Sequence, residues 1–458
     1  MMRQFDAIII GAGQAGPSLA GRLTEAGMKV ALIERHLVGG TCVNTGCMPT
    51  KALVASAYAA HLARRHGDFG VTIGGDIGVD MKAVAARAGQ VTLTARGNNE
   101  RWLEGMAGLD FIRGHARFTG PDRIAVNGEE LRAPRIFLNV GGRASVPDMP
   151  GVNDIAFLTN TGIVALDDLP RHLVVVGGSY IGLEFAQMYR RFGAEVTVVE
   201  MGPRLVGRED EDISAAVRGI VEAEGIAVRT NAKCIAFRKL DDGGVAVGVD
   251  CEEGAPEVVG SHVLLAVGRR PNTDDLGLDV AGVATDARGY IQVDDRLQTS
   301  VPGVFALGDC NGRGAFTHTA YNDFEIVAAN LLDGEDRRLS QRIPGYALYI
   351  DPPLGRVGMS EAEARKAGRN VWVSTRPMTR VGRAVEKGET QGFMKIVADA
   401  DTQRILGAAI LGTGGDEAIH GILDMMNADQ LVSALRWAVP IHPTVSELIP
   451  TVLLGLKS

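Results

Sequence analysis

Two cysteines, Cys42 and Cys47, lie five residues apart in a glycine-rich segment, GGTCVNTGCMPTK. Thiols this close can cycle between dithiol and disulfide, so the first chemistry they suggest is thiol–disulfide exchange. Pro49 can open a helix over TKALVASAYAAHLARR, which would leave Cys47 near that helix's positive end. A thiolate there is stabilised, and its pKa falls from ~8.5. The plainer alternatives are a buried structural pair or a metal clip. Zinc sites usually draw four ligands, and no second Cys/His pair lies nearby, so no metal site is expected. The remaining cysteines, Cys234, Cys251 and Cys310, are scattered and read as ordinary thiols. An odd total of five in a long chain argues against a secreted disulfide framework.

The thiol segment follows a nucleotide-binding pattern. FDAIII, GAGQAG, PSLAGRLTEAG and KVALIER read as strand, glycine turn, helix and strand, with Gly11, Gly13 and Gly16 completing G-x-G-x-x-G. Glu34 ends the second strand 23 residues after Gly11. Glycines allow the tight turn and the close approach of a pyrophosphate, the helix N-terminus attracts phosphate, and the carboxylate accepts ribose hydroxyls. The same order recurs 166 residues on, as HLVVV, GGSYIG, LEFAQMYRRFG and AEVTVVE, with Gly177, Gly182 and Glu200 in equivalent places. Ser179 replaces the middle glycine; its side chain could crowd a pyrophosphate or donate a hydrogen bond to it. Glu200 favours NADH, because a carboxylate repels a 2′-phosphate. Arg204 and Arg208 weaken that preference, since either could neutralise the phosphate.

These elements need a large α/β frame. A chain of 458 residues predicts two or three domains, and its 59 glycines follow short apolar runs rather than a collagen period. The formal charge of −8 leaves no basic stripe, so no nucleic-acid partner is expected. The apolar runs fall well short of the ~20 residues that span a bilayer, so neither a membrane span nor membrane association is expected. Asp6 interrupts any N-terminal signal segment, which predicts a cytoplasmic protein. Asp80 to Gly108 reads as helical and Phe111 to Val140 as short strands and turns. Pro147 and Pro150 mark a crossover into the second unit, and SHVLLAVGRRPN reads as its last strand and the way back. RLQTSVPGVFALGDC reads as a buried strand ending in an acid, and from about Pro344 the pattern turns β-rich and then helical.

Taken in order, GGTCVNTGCMPTK, GGSYIGLE, AVGRRPN, ALGD and IHPTVSE resemble the pyridine nucleotide–disulfide oxidoreductases, which include lipoamide dehydrogenase, glutathione reductase and mercuric reductase. The resemblance covers essentially the whole chain. MPTK is closer to the lipoamide dehydrogenase and mercuric reductase side, and MTRVGRAVEKGETQGFMKI is similar to mercuric-reductase-like proteins. The fold implied is α/β: two doubly wound Rossmann-like nucleotide-binding domains plus a C-terminal α+β dimerisation domain. It places an FAD-binding domain at 1–149 and 271–340, an NAD(P)-binding domain at 150–270, and the dimerisation domain at 341–458.

The resemblance also implies roles. Cys42 would be the outer interchange thiol, and Cys47 the thiol beside the flavin, in a charge-transfer pair. Lys51 would lie near flavin N5 and pair with Glu184 across the nicotinamide pocket, with Tyr180 as a gate that shields the flavin. Asp309 would bind the FAD ribitol, an environment a buried acid requires. His442 would be the acid/base for the dithiol, supplied by the partner subunit of a homodimer and oriented by Glu447. Imidazole suits that task because it exchanges protons near pH 7. FAD contacts would come from Gly11, Gly13, Gly16, Glu34, Gly40, Thr41, Lys51, Ala116, Gly141 and Asp309. Gly177, Gly178, Ser179, Tyr180, Ile181, Gly182, Glu200 and Gly268 would hold the nicotinamide nucleotide.

The implied reaction carries hydride from NAD(P)H to flavin, opens the Cys42–Cys47 disulfide, and reduces a small disulfide or soft metal ion through Cys42. A dihydrolipoamide dehydrogenase would run it in reverse on a dithiol. A flavin-dependent NADH oxidase or ferredoxin reductase needs neither the cysteine pair nor His442, and a redox sensor would use the pair only as a switch. No cysteine follows Cys310 and the first fingerprint begins by Phe5, so efficient mercuric ion turnover is not the expected main capability.

Overall fold

A computed structural model describes residues 2–249 and 256–456; Cys251 lies outside the described residues. The short runs Ala7–Ile10 and Val30–Glu34 are buried along their whole length. That pattern belongs to parallel strands covered on both faces. They sit inside a five-stranded parallel sheet in the order Val304–Ala306, Ile136–Leu138, Ala7–Ile10, Val30–Glu34, Leu109–Arg113. Ile9, Leu32 and Phe137 pack on Leu19 and Leu23 of the helix Ala15–Glu25, while Ile8, Ile33 and Leu138 face the opposite side. The strand after RLQTS ends at Ala306 rather than in an acid, and Asp309 sits three residues on, in a 3₁₀ turn over Gly308–Asn311.

A second parallel sheet has the order Ala227–Arg229, Glu195–Val199, His172–Val176, His262–Leu265. An antiparallel meander of Ala236–Lys239, Val245–Gly248 and Glu257–Gly260 lies before its last strand. The two crossovers between the sheets run side by side, Gly142–Ala144 pairing antiparallel with Arg269–Pro271. Both fingerprints obey one steric rule. Gly11 (φ +106) and Gly177 (φ +116) would place a Cβ 2.2 Å from Asn139 O and 2.4 Å from Ala266 O, respectively. A Cβ on Gly16 or Gly182 would lie 2.2 or 2.0 Å from the carbonyl oxygen of the first glycine in its own turn. No side chain fits at these four positions.

The last part of the chain is a five-stranded antiparallel sheet, ordered Gly345–Leu348, Leu354–Gly358, Ile405–Leu411, Phe393–Asp399, Val371–Pro377. One group of its residues, including Met394, Ile396 and Ile410, packs with Ile422 and Val452 of C-terminal helices. Another, including Leu348, Leu354 and Ala409, joins a core containing Leu53 of the helix Cys47–Arg64 and Phe185 of the helix Tyr180–Phe192. Buried Lys395 ties this sheet to the second unit through Asp210 (3.1 Å) and Asp212 (2.8 Å). Among the described residues, no helix is long and apolar enough to cross a membrane.

Candidate active site

The thiol segment is shaped by glycine. Gly39 and Gly40 take positive φ (92° and 59°), and the Gly39 N–H donates to Ala12 O at 2.8 Å. A Cβ on Gly40 would lie 3.1 Å from Gly13 Cα, so the redox segment rests directly on the first nucleotide turn. Thr41 and Cys42 lie on the short helix Gly40–Asn44. At Gly46 a side chain would meet Thr41 O at 2.8 Å, so only glycine allows the chain to double back from Cys42 to Cys47. The next helix starts at Cys47 itself, two residues before the position where Pro49 was expected to open it. Proline is tolerated there because first-turn N–H groups lack intrahelical partners.

Both cysteines are free thiols, Cys47 the more exposed. Their titrations are pulled apart. Cys47 falls from 9.0 to about 6: the Cys42 S–H donates to it, and the Thr317 hydroxyl and Lys51 charge add to the effect. Burial and Glu184 oppose this but do not cancel it. Cys42 is pushed up, first by that hydrogen bond to Cys47 and then by burial. These surroundings favour the proton on Cys42 and the thiolate on Cys47.

One turn along the helix, Lys51 Nζ lies 2.5 Å from Oε2 of Glu184, which is 6% exposed. The other carboxylate oxygen accepts the Tyr349 N–H at 3.0 Å, and the ammonium sits 4.4 Å from the Tyr349 ring centroid. Thr317, first residue of the helix Thr317–Ala328, brings its hydroxyl to 3.4 Å from Cys47 Sγ. Neither Thr317 nor Tyr349 is marked by the sequence reading. Tyr180 begins the helix that carries Glu184, and its ring meets Tyr346 edge-on at 5.2 Å.

The two nucleotide turns carry matching carboxylates. Glu34 accepts the N–H groups of Ala12 and His36 (2.8 and 2.7 Å), and Glu200 those of Gly178 and Gly202 (both 2.6 Å). Beside Glu200 is a cavity of about 390 Å³ lined by Gly178, Ser179, Pro203, Arg204 and Arg208. Arg204 is engaged by Glu211 and by the carbonyls of Gly207 and Glu209, whereas Arg208 makes no ion pair or hydrogen bond among the described residues. Ser179 caps the Tyr180 helix in extended geometry, and its hydroxyl makes no capping hydrogen bond among the described residues. Ile181 follows in the helix's first turn.

Gly141 and Gly268, past the ends of equivalent strands, have positive φ (64° and 121°) and border open space. Such crevices at strand carboxyl ends are where doubly wound sheets take ligands. Asp309 lies 3.5 Å from Arg269, and burial pushes its carboxyl up against that cation's pull. Ala116 is buried in the first unit. These cradles fit two dinucleotides, one per sheet.

His442 stands apart. Its Nδ1 meets Glu447 Oε2 at 2.8 Å, its side chain is 79% exposed, and no hydrogen bond links it to either thiol among the described residues. Trp437, Val439 and Ile441 beside it are 76–96% exposed, an apolar surface that suits a protein contact. Among the described residues no cluster of three His, Cys, Asp or Glu side chains could hold a metal ion.

The chain matches the model for the pyridine nucleotide-disulphide oxidoreductases over residues 5–323, and the model for their dimerisation domain over residues 344–453. The dihydrolipoyl dehydrogenase of Thermus scotoductus is 36% identical over 449 residues, 97% of this chain and 96% of that protein. A mercuric reductase of Staphylococcus aureus is 32% identical over 425 residues, 91% and 76% of the two chains. A solved structure, the Cu(II) complex of the HOCl-induced flavoprotein disulfide reductase RclA from Escherichia coli, superposes with a TM-score of 0.90 at 33% identity, covering 100% of both chains. The glycine cradles, the paired thiols and these matches agree, and the chain belongs to the pyridine nucleotide–disulphide oxidoreductase family, whose members use FAD and NAD(P)H.

Proposed function

We propose that this enzyme uses NAD(P)H to reduce a small disulfide through Cys42, with a soft metal ion as a second acceptor. The observation that carries the reading is the placement of the two thiols: Cys42 and Cys47 on successive helices, Cys47 at a helix N-terminus beside the Thr317 hydroxyl and the Lys51–Glu184 pair. FAD, when bound, supplies the two-electron carrier between NAD(P)H and the Cys42–Cys47 disulfide.

FAD would be held by Gly11, Gly13, Gly16 and Glu34 in the first turn, by Gly40, Thr41 and Lys51 in the thiol segment, and by Ala116, Gly141 and Asp309. The nicotinamide nucleotide would be held by Gly177, Gly178, Ser179, Ile181, Gly182, Glu200 and Gly268. Tyr180 would cover the nicotinamide side when no nucleotide is bound. The Ser179 hydroxyl would donate to phosphate rather than crowd it. NADH is put ahead of NADPH, because a carboxylate at the end of the second strand accepts ribose hydroxyls and repels a 2′-phosphate, and Glu200 is held beside the second nucleotide turn by the N–H groups of Gly178 and Gly202. The corresponding domains are 1–149 with 271–340 for FAD, 150–270 for NAD(P), and 341–458 for dimerisation.

In the acceptor half-reaction, His442 of the partner subunit, oriented by its Glu447, takes the Cys42 proton. The Cys42 thiolate attacks one substrate sulfur, forming a mixed disulfide and expelling a thiolate that His442 reprotonates. The Cys47 thiolate then attacks the Cys42 sulfur, closing the internal disulfide and releasing the second substrate thiolate, which takes its proton from water. Two electrons leave the cysteine pair and two reduced thiols result. The metal acceptor draws support from the relatives named mercuric reductase, because thiolates favour soft ions such as Hg(II); the copper(II) complex of the structural relative, which a cysteine-to-serine mutant of that protein also forms, adds a metal ion of another class. A dihydrolipoamide dehydrogenase would run the same steps backwards.

Steady-state NADH oxidation by the FAD-loaded enzyme tests this, with small disulfides, lipoamide, quinones, Cu(II) and Hg(II) as acceptors. Disulfide turnover that disappears in Cys42→Ser, while quinone reduction persists, is the expected outcome. Equal disulfide turnover in Cys42→Ser and wild type refutes the proposal.

A further inference from the structure

We infer that Tyr346 and Glu209 are positioning residues that fix the resting place of the Tyr180 ring, and so set how readily the nicotinamide side opens to NADH. The inference rests on the reading of Tyr180 as a gate.

Glu209 is an acid in an unusual place. Its side chain is fully buried, and burial drives its carboxyl up. An acid there needs partners. Both come from the C-terminal sheet: the Tyr346 hydroxyl donates to Glu209 Oε1, and Arg356 Nε lies 3.8 Å from Oε2. Tyr346 and Arg356 are directly opposite each other in the antiparallel ladder of Gly345–Leu348 with Leu354–Gly358. One register position of one sheet therefore holds the acid by a hydrogen bond to one oxygen and by the charge of Arg356 near the other, which accepts no hydrogen bond among the described residues. A slip of one residue would turn both side chains to the other face.

The anchored Tyr346 ring then organises the aromatic cluster. It stacks on Phe316 at 5.7 Å and meets Tyr180 edge-on at 5.2 Å. Phe316 also meets Tyr180 edge-on, at 6.3 Å, and directly precedes Thr317, which touches Cys47. The Tyr180 hydroxyl lies near that of Tyr346 but makes no hydrogen bond of sound geometry. Tyr180 is thus held in place by ring contacts, with no hydrogen bond to break when it moves. Its stability at rest depends on where Tyr346 stands, and Tyr346 stands where Glu209 holds it. Because the acid belongs to the second unit and its grip to the C-terminal sheet, the gate is set by the joint between them.

The test is anaerobic stopped-flow reduction of the FAD-loaded enzyme by NADH, using wild type, Tyr346→Phe, Tyr180→Ala and the double variant. Tyr346→Phe keeps the ring and loses only its tether. We expect it to change the apparent NADH affinity or the reduction rate by at least about threefold, and to leave reoxidation by disulfide unchanged. In the Tyr180→Ala background the effect of Tyr346→Phe should disappear, the non-additivity that marks coupled residues. A Tyr180→Ala effect with no coupling to Tyr346→Phe overturns this inference alone. Unchanged reduction in Tyr180→Ala overturns the gate reading and the inference with it. Should Tyr346→Phe fail to fold, Glu209→Gln, whose neutral amide weakens the hold on the Tyr346 hydroxyl and on Arg356, takes its place: a change of at least about twofold in the same quantities that disappears with Tyr180→Ala is expected, and no change, or one that persists with Tyr180→Ala, overturns the inference.

Discussion

Replacing Thr317 by valine removes the hydroxyl that meets Cys47 and also bears on Cys42, and the thiolate read out beside the flavin reports what it does for Cys47. The hydroxyl lies 3.4 Å from Sγ and helps to lower the thiol to about 6. A hydrogen bond to a charged acceptor contributes about 1.5–3 kcal/mol, and the lower end applies to a long sulfur contact on an exposed thiol. At 1.36 kcal/mol per unit, the pKa should rise by about one unit. The sign follows from the role: losing a donor to the thiolate favours the thiol, so the change raises the pKa. At pH 7 the thiolate fraction should fall from about nine-tenths to about one-half. The assay is a pH titration of the two-electron-reduced, FAD-loaded enzyme, read by the long-wavelength thiolate-to-flavin absorbance. That band must vanish in Cys47→Ser. Thr317→Ser, which restores a hydroxyl, should return the midpoint close to wild type. A midpoint unmoved in Thr317→Val, or moved equally in Thr317→Ser, refutes the reasoning.

Three further outcomes are expected. Lys51→Met leaves Glu184 buried without its cation, so urea unfolding should show about 1–2 kcal/mol less stability, most of it recovered by adding Glu184→Gln. Mixed subunits carrying Cys42→Ser and His442→Ala, each inactive alone, should regain activity in hybrid dimers; none in verified heterodimers means each site is contained in one chain. For the nucleotide, kcat/KM should favour NADH, Arg208→Ala should lower only NADPH use, and Glu200→Ala should raise NADPH use by about tenfold. An NADPH preference in the wild type contradicts the placement of Glu200.

What was legible in the sequence is what the chain settles locally. Ala7–Ile10 and Val30–Glu34 read as buried parallel strands because covering both faces demands unbroken apolar runs. The first and third glycines of each turn were legible because no Cβ fits against the carbonyls they meet. The Lys51–Glu184 contact spans 133 residues and came from the family resemblance, since no periodicity connects two such positions. Thr317, 270 residues from Cys47, and Tyr346, 137 from Glu209, carry no motif at all. Their contacts exist only because three separately built sheets bring one end of a helix or strand to the same place. Even near the thiols the start of the helix was misplaced, since proline fits several first-turn positions and does not mark the first.

Ser179 shows how a departure from a pattern is explained by a residue far away. The middle fingerprint position needs no positive φ in either copy: Gly13 is absent from the left-handed set and Ser179 has φ −111°. What makes glycine useful at position 13 is a side chain. The Asn139 amide, held by the Gly11 carbonyl at 3.2 Å, would stand 3.2 Å from a Cβ there. In the second turn the residue in the place of Asn139 is Ala266, whose carbonyl meets Gly177 as that of Asn139 meets Gly11. Alanine sends nothing toward position 179, so a serine stands there without crowding. The two turns therefore obey the same backbone rule and differ only where the following strand does or does not project an amide into the cradle.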